Sequence, residues 1–509
     1  MALISLNISK RNFIVFICFT FLSFFFRFWS FFDSVIDRDE SLYFLIAHSL
    51  LNGIPPYVEI WDNKPPGIFI LFSLAILIFG DSITSIRILA CLSIAFTSYF
   101  LYKIAKLISN NNERIGLVAG ILYLVFSLSN NGVAANAEIL FAPFVTLAFY
   151  LLFKDTKYKG FTFLIIGVLL GIATQIKYVV LMDFIAFLVI VSTRLFFEKN
   201  KAKESKIALI KVYSFSILGF ILPFLFTALY FIAVGHFDEY FYATLISNSK
   251  YVDATEFYLR NLLSAIGIQI YTDFPLYLCL ILSFIYIKSS KKISLKDKMN
   301  LGNLICWFSF IFIGTLVSKR FIGHYYLQLL PPLCLISSYI IVKTVNKQTT
   351  KSKRNIFLIT VSILIVLITL YPHLQKNTEL IINKYIKRNY SEEKEVLIAN
   401  YIKKKISPND YIYIANYQPI IYYLVPAKPP TKYVFPSHLI SYYSGITGID
   451  PVQELTSIMN KKPFYVLLDE KREIENNEYK NALNMYLKND YFLEKTIKNI
   501  RLYRIKNIN

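Results

Sequence analysis

Apolar runs of about 17–25 residues recur between residues 13 and 371, separated by short lysine-rich loops. Lipid offers no water to backbone N–H and C=O groups, so each such run must close its own hydrogen bonds as a helix. We place about eleven spans, at 13–32, 86–102, 115–128, 138–153, 161–176, 178–196, 212–234, 274–288, 301–318, 325–342 and 355–371. Hydrophobic residues fill 55% of the 509 positions and the mean hydropathy is +0.49, unlike a soluble domain. The expected fold class is a polytopic α-helical membrane protein.

The formal net charge is +21, and its placement matters more than its size. Lysine and arginine gather in alternate loops: Lys103, Lys106 and Arg114; Lys154, Lys157 and Lys159; Arg194, Lys199, Lys201, Lys203, Lys206 and Lys211; Lys288, Lys291, Lys292, Lys296 and Lys298; Lys343, Lys347, Lys351, Lys353 and Arg354. The intervening loops, such as 129–137, are nearly free of them. Positive charge retained on the cytoplasmic side predicts a multi-pass protein of the inner (plasma) membrane with a cytoplasmic N-terminus. Residues 33–66, 235–273, 319–324 and everything after 372 then lie outside. Charge that follows loops in this way argues against a nucleic-acid partner. The run Ile68–Phe79 is short for a span, and crossing there would turn every later basic loop outward. It is expected to lie in the outer interface or dip into it. Lys10 and Arg11 precede the first run and no small-residue cleavage site follows, so the first helix is expected to stay uncleaved. Arg27, near its far end, either snorkels to the interface or faces the acidic loop beyond.

From Gln375 onward charges of both signs become frequent and apolar runs shorten. "DYIYIA" (410–415) and "PFYVLLDE" (463–470) read as buried strands, "EEKEVLIANYIKKKI" as an amphipathic helix, and "FLEKTIKNIRLYRIK" as paired strands. The expected division is a transmembrane domain over 1–371, with a first external loop at 33–85, and a small extracytoplasmic α/β domain over 372–509. The five cysteines lie in or beside apolar segments, so neither a disulfide framework nor a cysteine metal site is expected.

The external loop 33–67 concentrates the chemistry. Asp37, Asp39 and Glu40 sit at the end of the first helix, ahead of the amphipathic stretch "SLYFLIAHSLL"; Lys64 follows, fixed by Pro65 and Pro66. A lysine so held at the interface suits a lipid phosphate. A second group, "SKRFIGHYYLQLLPP", brings Lys319, Arg320, His324, Tyr325 and Tyr326 to the outer ends of two late helices. Carboxylates and cations on one side of a membrane suit cleavage of a sugar–phosphate bond: a carboxylate takes the proton of the attacking hydroxyl, and cations stabilise the departing phosphate. Lys177, with Gln175 and Asp183 at an outer helix turn, is either a second phosphate contact or an interfacial anchor. His236, Asp238 and Glu239 resemble a metal cluster only weakly. His48 reads as packed, and His373 and His438 stand alone. No cofactor is expected and no divalent metal is indicated.

The segment "DRDESLYFLIAHSLLNGIPPYVEIWDNKPPG" (37–67) resembles the first external loop of bacterial relatives of protein O-mannosyltransferases and aminoarabinose transferases, the GT-C fold glycosyltransferases of families 39 and 83 that use polyprenyl-phosphate sugars. "NAEIL" (136–140) and "HYYLQLLPP" (324–332) resemble them too. The resemblance implies an inverting transfer from a polyprenyl-phosphate-linked sugar to a glycolipid, polysaccharide or protein hydroxyl, with Asp39 as general base, Glu40 orienting the site and Lys64 on the lipid phosphate. Asp37 competes with Asp39 as the base. Where aminoarabinose transferases carry glutamate before Lys-Pro-Pro, this chain has Asn63, preceded by Asp62. The rival expectations are a lipid-linked glycan flippase, a polysaccharide polymerase or ligase, and a non-catalytic scaffold.

Overall fold

A computed structural model describes residues 2–155, 157–197, 202–254, 258–289, 294–317, 319–346, 353–387 and 392–506. Lys199, Lys201, Lys291, Lys292, Lys347 and Lys351, used above to orient the loops, lie outside the described residues.

Each of the eleven apolar segments falls on helix. Six helices among the described residues are long and apolar enough to cross a membrane: Ile83–Ile108, Ala137–Lys154, Tyr178–Phe197, Lys206–Ala233, Leu295–Val317 and Gly323–Lys343. A seventh span results if Leu259–Thr272 and Phe274–Lys288, bent by 95° at their junction, act as one. Gly160–Ile176 is apolar but shorter. Of the remaining runs, two lie on helices of 14 and 17 residues, Glu113–Phe126 and Gly160–Ile176, and two on the long helices Ala2–Phe26 and Lys353–Ile381. Residues 235–273, expected as a loop, contain the helices Phe237–Phe241, Ser247–Asp253 and Leu259–Thr272, and the helix Lys353–Ile381 continues well past residue 371.

The chain divides into two compact units, one of residues 1–30, 87–227 and 258–386, the other of residues 31–86, 228–257 and 387–509. The first is an all-helical bundle. Its helices approach closely where side chains vanish: a Cβ on Gly167 would lie 2.2 Å from the Ser216 carbonyl oxygen, and one on Gly219 would lie 2.2 Å from that of Leu164. Reciprocal small-residue contacts of this kind drive helix association where no hydrophobic effect operates. Arg27 does not snorkel to the interface. It is fully buried, and its Nη2 donates to the Ser127 carbonyl (3.0 Å) and Oγ (2.8 Å). The end of helix Glu113–Phe126 leaves carbonyls without intrahelical partners, and the guanidinium takes one of them. Asp183, expected near an outer turn, is buried and accepts from Trp307 Nε1 at 2.7 Å, beneath the Trp307–Phe149 stack.

The second unit carries a four-stranded sheet: β1 (Ile412–Ile414), β2 (Tyr465–Asp469), β3 (Tyr491–Ile497) and β4 (Ile500–Ile505), in the order β1-β2-β4-β3. β1 and β2 run parallel and the other pairs antiparallel. All four strands, and the helix Lys394–Lys403, lie where the sequence predicted them. Against this sheet unit are folded two shorter helices from the first external loop, Arg38–Leu51 and Gly67–Phe79, which pack on each other. Gly67–Phe79 buries Ile68, Phe69, Phe72 and Ile76 and turns Ile70, Leu74, Leu77 and Ile78 outward, so it is apolar on both faces.

Candidate active site

Two of the three clustered acids build the start of helix Arg38–Leu51. Asp37 is its N-cap, accepting from the Asp39 N–H at 3.1 Å, and the Glu40 carboxylate closes the box by accepting from the backbone N–H groups of Ile36 (2.7 Å) and Asp37 (3.4 Å). This satisfies donors that a helix start leaves open. Glu40 is 1% exposed. Both carboxylates are thus engaged in the helix start, Glu40 through two backbone donors and Asp37 through one. Asp39 lies between them, half-buried in the first turn, where the helix dipole favours a carboxylate, and its Oδ2 accepts from Tyr43 OH at 3.3 Å.

The lysine end of the loop is pinned by side chains that no motif marks out. Tyr57 is fully buried with φ of +76°, a region that bulky residues rarely enter. Its N–H donates to the Ile60 carbonyl (3.0 Å) and its hydroxyl to the Lys64 carbonyl (2.7 Å), while Phe69, Phe231 and Tyr240 surround its ring. Asn248, next to a π-helical turn at Tyr242–Ile246, donates to the Asn63 carbonyl at 2.7 Å. Asp62 Oδ1 accepts from the Asn63 N–H at 2.7 Å. The peptide groups on both sides of Asn63 are thereby held, and Pro65 and Pro66 lead directly into helix Gly67–Phe79.

The electrostatics follow. Asp62 is 2% exposed, and burial pushes its carboxyl up to about 6 despite the opposing pull of Lys64, with Asp39 adding repulsion. Its Oδ2 has no hydrogen-bond partner among the described residues. Burial works against the charge on Lys64, but Asp62 and then Asp39 overcome it and hold the ammonium above its ordinary range. His438, read above as isolated, is buried with its Nε2 3.8 Å from Asp62 Oδ1 and its ring edge-on to Trp61 at 4.7 Å. Burial, aided by Lys64, pulls the imidazole down to about 3, so at neutral pH it faces Asp62 as a neutral ring and not as an ion-pair partner. Tyr251 and Tyr443 meet edge to face at 5.6 Å, near enough to influence Lys64. Asp39, Asp62, Lys64 and His438 thus form one electrostatic cluster, of which Asp62 and His438 were missed as partners because nearly 400 residues separate them.

The other unit holds the second predicted group. Lys177 pairs with the buried Glu138 of "NAEIL" and lies 3.8 Å over the Tyr325 ring, against which His324 packs at 5.0 Å. Arg320 is also buried, and Lys319 adopts a left-handed backbone at φ +53°. Lys177, expected as either a phosphate contact or an interfacial anchor, is a paired cation on an aromatic face. His236 Nδ1 stands 3.5 Å from Glu239, and among the described residues no three His, Cys, Asp or Glu side chains gather as a metal ion requires.

Residues 63–233 match the family model described as dolichyl-phosphate-mannose-protein mannosyltransferase. The match takes in Lys64, Glu138 and Lys177 and begins after Asp37, Asp39 and Glu40. An uncharacterized protein of Aquifex aeolicus (strain VF5) is 26% identical over 348 residues, 67% of this chain and 65% of that protein, so the match spans just under two thirds of its length. Two solved structures share the fold: ArnT from Cupriavidus metallidurans bound to undecaprenyl phosphate (TM-score 0.58, 11% identity, 98% of both chains) and the archaeal oligosaccharyltransferase AglB from Archaeoglobus fulgidus in complex with an inhibitory peptide and a dolichol-phosphate (TM-score 0.51, 12% identity, 98% of this chain and 74% of that one). The fold expected from the resemblance is thus shared with two proteins solved with polyprenyl-type lipid phosphates, and residues 63–67 of the 37–67 loop fall within the mannosyltransferase model's match.

Proposed function

We propose that this chain is a membrane glycosyltransferase that moves a sugar from a polyprenyl-phosphate-linked donor to a hydroxyl of a glycolipid, polysaccharide or protein, at the outer face of the cytoplasmic membrane. The observation that carries this reading is a half-buried lysine, kept charged by Asp62 and Asp39 and fixed by Tyr57, Asn248 and two prolines. A rigid cation of that kind suits a phosphate whose charge grows as it leaves. Asp39 removes the proton from the acceptor hydroxyl. The hydroxyl oxygen attacks the anomeric carbon from the face opposite the phosphate, and the carbon–oxygen bond to phosphate breaks with its electron pair going to the phosphate. Lys64 neutralises that charge, and the configuration inverts. Glu40 and Asp37 keep the Asp39 turn in place. Lys177, Lys319, Arg320, His324 and Tyr325 are proposed as a second phosphate-contacting group within their own unit, with Glu138 holding Lys177 in place. Residues 372–509 are proposed as an extracytoplasmic domain with a part in acceptor choice, and eleven spans with a cytoplasmic N-terminus as the topology.

The test is Asp39→Asn, which keeps shape and removes the base. In a deletion strain at matched membrane levels it is expected to lack one envelope sugar while the polyprenyl-phosphate donor accumulates. Normal glycans in that strain would exclude Asp39 as the base.

A further inference from the structure

The second unit contains a cavity of about 570 Å³ at the end of helix Arg38–Leu51 remote from Asp39, within the size range of small-ligand sites. Its lining is mixed. The polar groups are already knitted together: Ser49 Oγ donates to Glu59 (2.7 Å), His48 Nε2 meets Asp81 Oδ2 (3.2 Å), Asn52 Nδ2 meets His48 Nδ1 (3.3 Å), and Tyr423 OH donates to the Asp81 carbonyl (3.1 Å). Leu45, Ile60, Leu424, Ala427 and Val434 supply apolar lining beside them. The Tyr423 ring is fixed edge-on by Phe44 (4.8 Å) and His48 (5.9 Å).

This chemistry selects a ligand class. An anion is disfavoured, because Glu59 and Asp81 outnumber the one cation on the wall, Lys403. A wholly apolar ligand would strip water from two carboxylates, an amide and an imidazole without replacing their hydrogen bonds. A cationic peptide would seek bare carboxylates, whereas both are already engaged by neighbours and retain lone pairs as acceptors. What remains is a molecule with an apolar face and a rim of hydroxyl donors. A pyranose ring has that form, its C–H face suiting the apolar lining and its hydroxyls the carboxylate and amide oxygens.

We propose that this cavity binds a saccharide of a few units, neutral or amino-bearing and not acidic, and so docks a glycan acceptor. The docking role rests on the transferase reading above; saccharide binding by the cavity does not. A helix of 14 residues joins the two sites, and at about 1.5 Å per residue its length is about 20 Å, a span that a short oligosaccharide bridges.

The full-length protein in lipid nanodiscs should be applied to an array of neutral, amino-sugar and uronic-acid oligosaccharides of two to four units, with trilysine as the peptide control. Hits are then titrated against wild type, Glu59→Gln, Asp81→Asn, Ala427→Phe and Asp39→Asn. Saturable binding of a neutral or amino-bearing oligosaccharide is expected, weakened about tenfold by Glu59→Gln or Asp81→Asn through loss of a charged acceptor, abolished by Ala427→Phe, and unchanged in Asp39→Asn. Asp81 is half-exposed, so its variant reports even if Ala427→Phe disturbs folding. Absence of any saturable saccharide, preference for uronic acids or trilysine, or binding indifferent to Glu59→Gln and Asp81→Asn overturns the proposal. Saccharide binding together with normal glycans in the Asp39→Asn strain would instead leave the cavity assigned and remove the transferase mechanism.

Discussion

Replacing Lys64 by Met tests whether the candidate site is an electrostatic unit. Asp62 is 2% exposed, and even beside Lys64 its pKa stands at about 6 against an ordinary 3.8. That difference corresponds to about 3 kcal/mol spent on keeping the carboxylate charged in the folded chain. A carboxyl whose folded pKa lies above its unfolded value binds its proton more tightly when folded. Asp62 therefore costs nothing below pH 3.8, costs progressively more as pH rises toward about 6, and costs a constant amount above it. Lys64 has the opposite sign: its folded pKa is raised, so its contribution is fully present at neutral pH and is lost only in strong alkali. Lys64→Met removes the larger of the two interactions that restrain Asp62, the other being the Asn63 N–H, so the carboxyl should titrate above 6 and the single variant should be destabilised at neutral pH by about 3 kcal/mol, the cost of breaking a buried pair. Asp62→Asn in the same background should return most of that loss. The assay is a double-mutant cycle on melting temperature in detergent, run at about pH 5 and about pH 8. A coupling that is clear at the higher pH and shrinks at the lower is expected. Additive effects at both values would show that Lys64 and Asp62 do not act on each other, and the argument for a lysine held charged would fall.

Two further outcomes follow from particular contacts. Tyr57→Phe removes the donor to the Lys64 carbonyl at 2.7 Å; it should cost about 1 kcal/mol of stability and weaken undecaprenyl phosphate binding, measured by lipid titration in nanodiscs, whereas unaltered binding would make Tyr57 a packing residue only. Gly167→Ala places a Cβ 2.2 Å from the Ser216 carbonyl oxygen, so the helices must part; a lower melting temperature is expected, with saccharide binding at the second unit's own cavity preserved.

Helix positions were legible because an apolar run in lipid has one way to satisfy its backbone, and every run predicted as a span falls on helix. The strands at 412–414 and 465–469 were legible as short apolar runs, which the structure largely buries, and the hairpin at 491–505 as two strand-forming runs around Lys498 and Asn499. Length was a poorer guide, because helices of 13 and 17 residues, Gly67–Phe79 and Gly160–Ile176, satisfy their backbones as well as longer ones do. The acids at 37–40 were visible as a cluster, but a row of carboxylates carries no mark of which one caps a helix. Asp37 and Glu40 became structural only once the helix start was placed, leaving Asp39 as the acid of the three outside the capping pair.

The amino-acid sequence by itself determined the local order of this protein: apolar helices, a charged external loop, a lysine locked by prolines, and a polar C-terminal region of strands and helices. Each depends on neighbours within a few turns of chain. Only the tertiary structure decided what those groups face. It set His438 beside Asp62, placed Glu138 against Lys177, buried Arg27 on a helix end and drew Tyr57 into a left-handed turn beneath Lys64. The charge state of a buried group is set by the distance to its partners and by the water excluded around it, and both are properties of packing between segments far apart in the chain.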